Sequence, residues 1–120
     1  MPKRIAVVDD DRDILTVIQL ALEDAGYQVE VSTDGAYLRQ LTPKNMPDLV
    51  LLDVQLSGED GRALCRYVKS NELTRHIPVI LISAATRVSE IRREGSANDF
   101  LAKPFELGTL IRTVQRNLPM

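Results

Sequence analysis

The stretch IAVVDDDRDILTVIQLALEDAGYQVEV, residues 5–31, changes its period twice, and those changes decide the fold. IAVV (5–8) is a short unbroken apolar run, the pattern of a strand covered on both faces. Ile14, Val17, Ile18, Ala21, Leu22 and Ala25 then recur at the i, i+3, i+4 spacing of an amphipathic helix. Asp11 is placed to cap that helix, and Asp13 to sit in its first turn, where carboxylates meet unpaired N–H groups. Gly26 closes the helix, because the residue just past a helix end adopts a left-handed conformation that glycine tolerates. YQVEV (27–31) alternates apolar and polar as an edge strand does.

The same alternation runs through the rest of the chain. LVLL (49–52), IPVILIS (77–83) and DFLA (99–102) read as strands, with Pro78 acceptable at a strand's first residues. Residues 34–41 allow a short helix that ends before Pro43. A second stripe carries Ala63, Leu64, Tyr67 and Val68, a weaker helix covers about 86–94 through Val88 and Ile91, and the last uses Leu107, Leu110, Ile111, Val114 and Leu118. Five strand–helix units predict an α/β, doubly wound fold with a five-stranded parallel sheet and helices on both faces. A strand order of 2-1-3-4-5 would place the switch point between the first and third strands. With 120 residues, the chain suits one domain over 1–120.

Composition narrows the class of function. The chain is 44% hydrophobic and 27% charged, as in an ordinary soluble globule, with a formal net charge of -2. Lys and Arg are scattered and aromatics are few, which argues against a nucleic-acid surface. No segment approaches the ~20 apolar residues of a membrane span, and MPKRIAVV lacks the apolar core of a signal peptide. Cys65 is the one cysteine, so an internal disulfide is impossible and a cytoplasmic, reducing setting is expected. Its neighbours make it a small core residue rather than a reactive thiol.

The strand ends carry the chemistry. Asp9 and Asp10 follow IAVV, Asp53 follows LVLL, Ser83 and Ala84 follow VILI, and Lys103 and Pro104 follow DFLA. In a parallel sheet these tips share one edge. Three carboxylates there repel, by about 4 kcal/mol per pair at ~4 Å and an effective dielectric near 20. Water, a proton or a cation must relieve them. Oxygen-only ligands with no His or Cys point to a hard ion, Mg²⁺ above all. A Ser83 hydroxyl and a Lys103 ammonium suit the far side of a phosphoryl group. The residues together read as a Mg²⁺-assisted phosphoryl site with one carboxylate as acceptor.

Asp9-Asp10, Asp53, Ser83-Ala84 and Lys103-Pro104-Phe105, in that order and each at a strand end, resemble a bacterial response-regulator receiver domain. The resemblance covers the whole chain and implies the flavodoxin-like (βα)5 fold. It implies that Asp53 accepts a phosphoryl group from a histidine kinase or phosphotransfer protein. It further implies that Asp9, Asp10, Asp53 and the backbone carbonyl of Gln55 hold Mg²⁺. By the same resemblance Ser83 and the backbone N–H groups of Val54 and Ala84 hold phosphoryl oxygens, and Lys103 pairs with the phosphate or Asp53. The Lys103–Pro104 bond is expected to be cis. Phe100 takes the position of a switch aromatic that follows Ser83, so that the fourth helix, fifth strand and fifth helix present the output surface to a downstream protein. Such a module is no enzyme in the ordinary sense; it catalyses only its own phosphorylation and dephosphorylation. The alternative is a binding module of the same fold that signals without phosphorylation.

Other readings account for less. DDDRD mimics the start of a calcium loop, but Ile14 and Leu20 stand where Gly and Glu would be needed. A phosphatase with a strand-end nucleophile would want a second Asp at position 55, which is Gln. His76, in a polar loop without acidic neighbours, is expected to be exposed and idle. Relative to the family pattern, Ser57 replaces a frequent proline, and the segment from Ser83 to Phe100 is about two residues short, with Gly95 displaced by one. A short or irregular fourth helix is therefore expected. Ala85 and Gln55 border the phosphate entry and are expected to tune the lifetime of the aspartyl phosphate.

Overall fold

A computed structural model describes residues 2–92 and 96–118, with the side chains of Ala85 and Ile91 outside the described set, as is Gly95. The predicted alternation is observed. Strand β1 (Arg4–Val8) leads to helix α1 (Arg12–Asp24), then β2 (Gln28–Ser32), α2 (Ala36–Arg39) and β3 (Leu49–Asp53). Helix α3 (Gly61–Ser70), β4 (Val79–Ala84), a 3-10 turn (Ala85–Arg87) running into α4 (Val88–Arg92), β5 (Asp99–Lys103) and α5 (Leu107–Asn117) complete the series. The five strands pair in parallel in the order β2-β1-β3-β4-β5. This is the doubly wound order expected from the sequence, with the switch point between β1 and β3.

The local rules act where the sequence placed them. The Asp11 carboxylate accepts from the N–H groups of Asp13 and Ile14 at the start of α1. Gly26 follows α1 with φ +99°, the left-handed region. The fourth helix is described over Val88–Arg92, and the end of the expected 86–94 span, residues 93–94, lies outside the described residues. Every residue of LVLLD is buried in β3, whereas β2, at the sheet edge, is mostly exposed.

Side chains alternate to two cores, one per sheet face. Ile5, Val7, Leu49, Leu51, Ile80 and Ile82 meet α1 and α5 through Ile18, Leu22, Leu110 and Val114. Ala6, Val8, Val50, Leu52, Val79 and Leu81 meet α2 and α3 through Leu38, Leu64, Cys65 and Val68. Cys65 is fully buried, as a packing residue should be. Two stripes are narrower than their periodicity implied. In α1 the buried residues are Leu15, Ile18 and Leu22, while Val17 is 50% exposed. In α5 Leu107 is 46% exposed and Leu110 and Val114 face the sheet. The helical period fixes the direction of a face; how much of that face is covered depends on the neighbouring element.

Candidate functional site

The C-terminal edge of the sheet gathers the residues singled out above. Asp9 follows β1, Asp53 ends β3, Ser83 and Ala84 end β4, and Lys103 ends β5. Register brings Asp53 beside Ile82, Ser83 beside Ala102, and Ala84 beside Lys103. Asp9 is fully buried, while Asp53 and Ser83 are each 5% exposed. Asp10 is exposed. One oxygen from each of Asp9, Asp10 and Asp53 lies within 4.8 Å of the others. His76 is exposed, away from this group.

Lys103 is the cation of the crevice. Its Nζ donates to Asp9 Oδ2 at 2.9 Å and to Asp53 Oδ2 at 3.0 Å. The sequence suggested the second contact but gave no sign of the first. Each buried carboxylate also accepts a backbone N–H on its other oxygen: Asp9 Oδ1 from Asp11 at 2.9 Å, Asp53 Oδ1 from Gln55 at 3.1 Å. Burial pushes the Asp9 carboxyl above the ordinary carboxylate value, and the nearby Asp53 charge adds to this. The Asp11 N–H and Lys103 oppose that rise without cancelling it. Burial alone would lower the Lys103 ammonium. Its hydrogen bonds to Asp9 and Asp53 outweigh that cost and raise it above the usual lysine value. A single ammonium shared by two carboxylates, with a third beside them, leaves an excess of negative charge.

That excess, and an all-oxygen donor set, fit a hard divalent cation. Among the described residues, Asp9, Asp10 and Asp53 are the side chains grouped closely enough to hold it. The Lys103–Pro104 peptide is cis. Phe100 is half-buried against the α2–α3 core, and the Arg92 guanidinium lies 5.0 Å from its ring centroid.

One expected role meets a competing backbone bond. The N–H of Val54, expected to face a phosphoryl oxygen, donates to Ile82 O at 2.9 Å and so extends the β3–β4 ladder by one residue. The amide that faces the Asp53 carboxylate is that of Gln55. A ladder bond continuing past the last strand residue leaves no signal in composition or period.

Two further features were not legible in the sequence. The loop after Asp53 folds into a two-residue hairpin, Gln55–Leu56 against Glu59–Asp60, with Gly58 at φ +73° in the turn. Ser57, also in that turn, donates its hydroxyl to Asp10 Oδ2 at 2.9 Å. Gly61, the first residue of α3, packs on the acceptor strand so closely that a Cβ there would sit 2.1 Å from Asp53 O. Its own N–H donates to Val54 O at 2.7 Å.

Comparison with known proteins agrees with this arrangement. Residues 5–115 match the model of the response regulator receiver domain. The response regulator PleD of Caulobacter vibrioides is 37% identical over 110 residues, which are 88% of this chain and 24% of PleD. The chemotaxis protein CheY4 of Vibrio cholerae superposes with a TM-score of 0.87 at 26% identity, covering 98% of this chain and 100% of that one. The receiver domain of the sensor histidine kinase PA1611 from Pseudomonas aeruginosa, solved with a magnesium ion coordinated in its active-site cleft, gives 0.86 at 30% identity over 98% of both chains. The chain spans less than half the length of the curated relatives it matches.

Proposed function

The chain belongs to the response regulator receiver domain family, signalling modules of two-component systems, and on that premise we propose that Asp53 is its phosphoacceptor. What carries this reading is the meeting of Asp9, Asp10, Asp53 and Lys103 at one sheet edge. The donor is a phosphohistidine on a histidine kinase or phosphotransfer protein. An Asp53 carboxylate oxygen attacks phosphorus, the new P–O bond forms as the P–N bond breaks, and the imidazole leaves. Dephosphorylation is attack of water on the same phosphorus, which returns the carboxylate. The whole of residues 1–120 is read as one such domain, working in the cytoplasm. No described helix is long and apolar enough to cross a membrane.

The chain's own groups have distinct tasks in that step. Lys103 already binds Asp53 Oδ2 and is positioned to follow the charge onto the phosphoryl oxygens. Ser83, buried at the end of the adjacent strand, supplies a hydroxyl, the Gln55 amide donates to the acceptor, and the Ala84 amide is assigned to a phosphoryl oxygen. Asp9, Asp10, Asp53 and the Gln55 carbonyl would hold Mg²⁺, which, when bound, draws charge from the phosphoryl oxygens. Apolar side chains of Ile14, Val17, Phe105 and Leu107 line a groove reaching Lys103 and Pro104, an apolar seat beside the crevice for the donor. Output follows from Ser83 moving toward the phosphate and Phe100 turning into the space it leaves, away from Arg92, so that the α4–β5–α5 face changes for a downstream protein.

Beryllofluoride, a stable phosphoryl mimic, tests this reading without any partner. Amide NMR spectra of wild type with Mg²⁺ and beryllofluoride are expected to shift at residues 53–55, 83–84 and 103 and along β5. Relative to Mg²⁺ alone, Asp53→Ala is expected to show none of the shifts that beryllofluoride adds. Beryllofluoride-dependent shifts that persist in Asp53→Ala would refute the assignment.

A further inference from the structure

The three carboxylates are not held alike. Asp9 and Asp53 are buried, and each has one oxygen on Lys103 and the other on a backbone N–H. Asp10 is exposed, and its carboxylate reaches instead to the hydroxyl of Ser57, distant by 47 residues in sequence. Ser57 is not on a loose loop. Gln55 pairs with Asp60 and Leu56 with Glu59, and Ser57 and Gly58 make the turn between them. Gly58 has a positive φ and Ser57 does not, the φ signs of a type II turn. The far strand is tied down twice: Glu59 forms an ion pair with Arg39, and Asp60 caps α3 through the Arg62 N–H. The hydroxyl therefore approaches Asp10 from a braced position.

We propose that Ser57 is a positioning residue for the cation site, holding the exposed Asp10 carboxylate in the orientation in which it meets a divalent cation. This rests on the Mg²⁺ reading above and assigns a task to a residue outside the ligand set. Its physical basis is pre-organisation. An exposed aspartate samples several rotamers, and the cation must select one of them; a fixed donor makes that selection in advance. The hydroxyl occupies a lone pair of Oδ2 and leaves Oδ1 and the remaining lone pair for the cation, so it orients the group without displacing the ligand. Outer partners of metal-bound carboxylates commonly act in this way.

The test is Mg²⁺ affinity measured by titration calorimetry, with no phosphodonor present. Ser57→Ala is expected to raise Kd by about 3- to 10-fold, at or below the low end for an outer partner because Asp10 is exposed. Ser57→Thr keeps a hydroxyl and is expected to stay near wild type. Ser57→Pro suits the first corner of a type II turn but carries no hydroxyl, and is expected to resemble Ala. Urea midpoints without metal would confirm that all three variants remain folded. An unchanged Kd in Ala and Pro would overturn the proposal. A weakened Ala with a normal Pro would overturn it too, since turn stiffness and not the hydroxyl would then matter. Asp10→Asn in the same titration separates the proposal from its premise. If Asp10→Asn binds like wild type, or wild type does not bind, the cation reading fails and the proposal with it.

Discussion

Gly61→Ala is the substitution whose cost follows most directly from the backbone. A Cβ at that position would lie 2.1 Å from Asp53 O, 2.8 Å from Val54 Cα and 2.9 Å from Asp53 C. All three neighbours are main-chain atoms of the acceptor strand and its exit, so no side chain can swing aside. Ordinary contact begins near 3.4 Å, and the closest pair must therefore separate by 3.4 − 2.1 = 1.3 Å. That movement lifts the start of α3 and strains the bond from Gly61 N–H to Val54 O, now 2.7 Å. Overpacking costs about 1–3 kcal/mol, and a weakened buried hydrogen bond about 1 kcal/mol more. Alanine's better helix propensity returns at most ~1 kcal/mol. The expected loss is roughly 1–4 kcal/mol, or a Tm lower by about 2–20 °C for a chain of this size. Thermal and urea unfolding followed by far-UV circular dichroism measure it. A variant within about 0.5 kcal/mol of wild type, the range of a harmless surface change, would refute the reasoning.

Other expectations concern the clamp on β5, the cation and the acceptor's surroundings. Asp99 is buried enough to be pushed upward, but hydrogen bonds from Arg116, Asn117 and the Phe100 N–H outweigh this and hold its carboxyl below the ordinary value of 3.8. A depressed carboxyl contributes stability that is complete above 3.8 and is lost as pH falls through the folded-state value. Wild type should therefore exceed Asp99→Asn in urea midpoint at neutral pH, with the gap closing below about pH 4. Mg²⁺ at ten times its Kd should add about 1.4 kcal/mol of stability, a rise of some 3–7 °C in melting temperature, and Asp10→Asn should abolish it. Gln55→Lys, at the exposed position two residues beyond the acceptor, should change the decay rate of the phosphorylated protein without preventing labelling; equal decay would remove Gln55 from that task.

The sheet and the edge were legible because both are written locally. Runs such as IAVV and LVLL bury all their residues, and a parallel sheet forces their ends to one side. Hence Asp9, Asp53, Ser83 and Lys103 could be grouped before any distance was known. The Asp11 cap and the Gly26 turn are likewise short-range rules. What stayed hidden depends on partners remote in sequence. Nothing in SGEDG states that Ser57 will meet Asp10, that Glu59 will meet Arg39, or that Gly61 will lie on Asp53. The Val54 amide is engaged with Ile82 O because ladder bonds can run one residue beyond the apolar run, and the amide on the Asp53 carboxylate is that of Gln55. Val17 and Leu107 share the helical period of the core residues yet stay half exposed, since the period says nothing about what covers that side.

The central claim, that Asp53 accepts a phosphoryl group, is tested most directly by intact mass after incubation with acetyl phosphate and Mg²⁺. Wild type is predicted to gain one phosphoryl group, to lose the gain when Mg²⁺ is withheld, and to show none in Asp53→Ala. A folded wild-type protein that binds Mg²⁺ and beryllofluoride but gains no mass would point to fast hydrolysis, and trapping at short times would then have to recover the adduct. An adduct that survives in Asp53→Ala, or no adduct together with no Mg²⁺ or beryllofluoride binding, would contradict the account. The second of these results would leave a module that keeps the fold and signals through protein contacts alone.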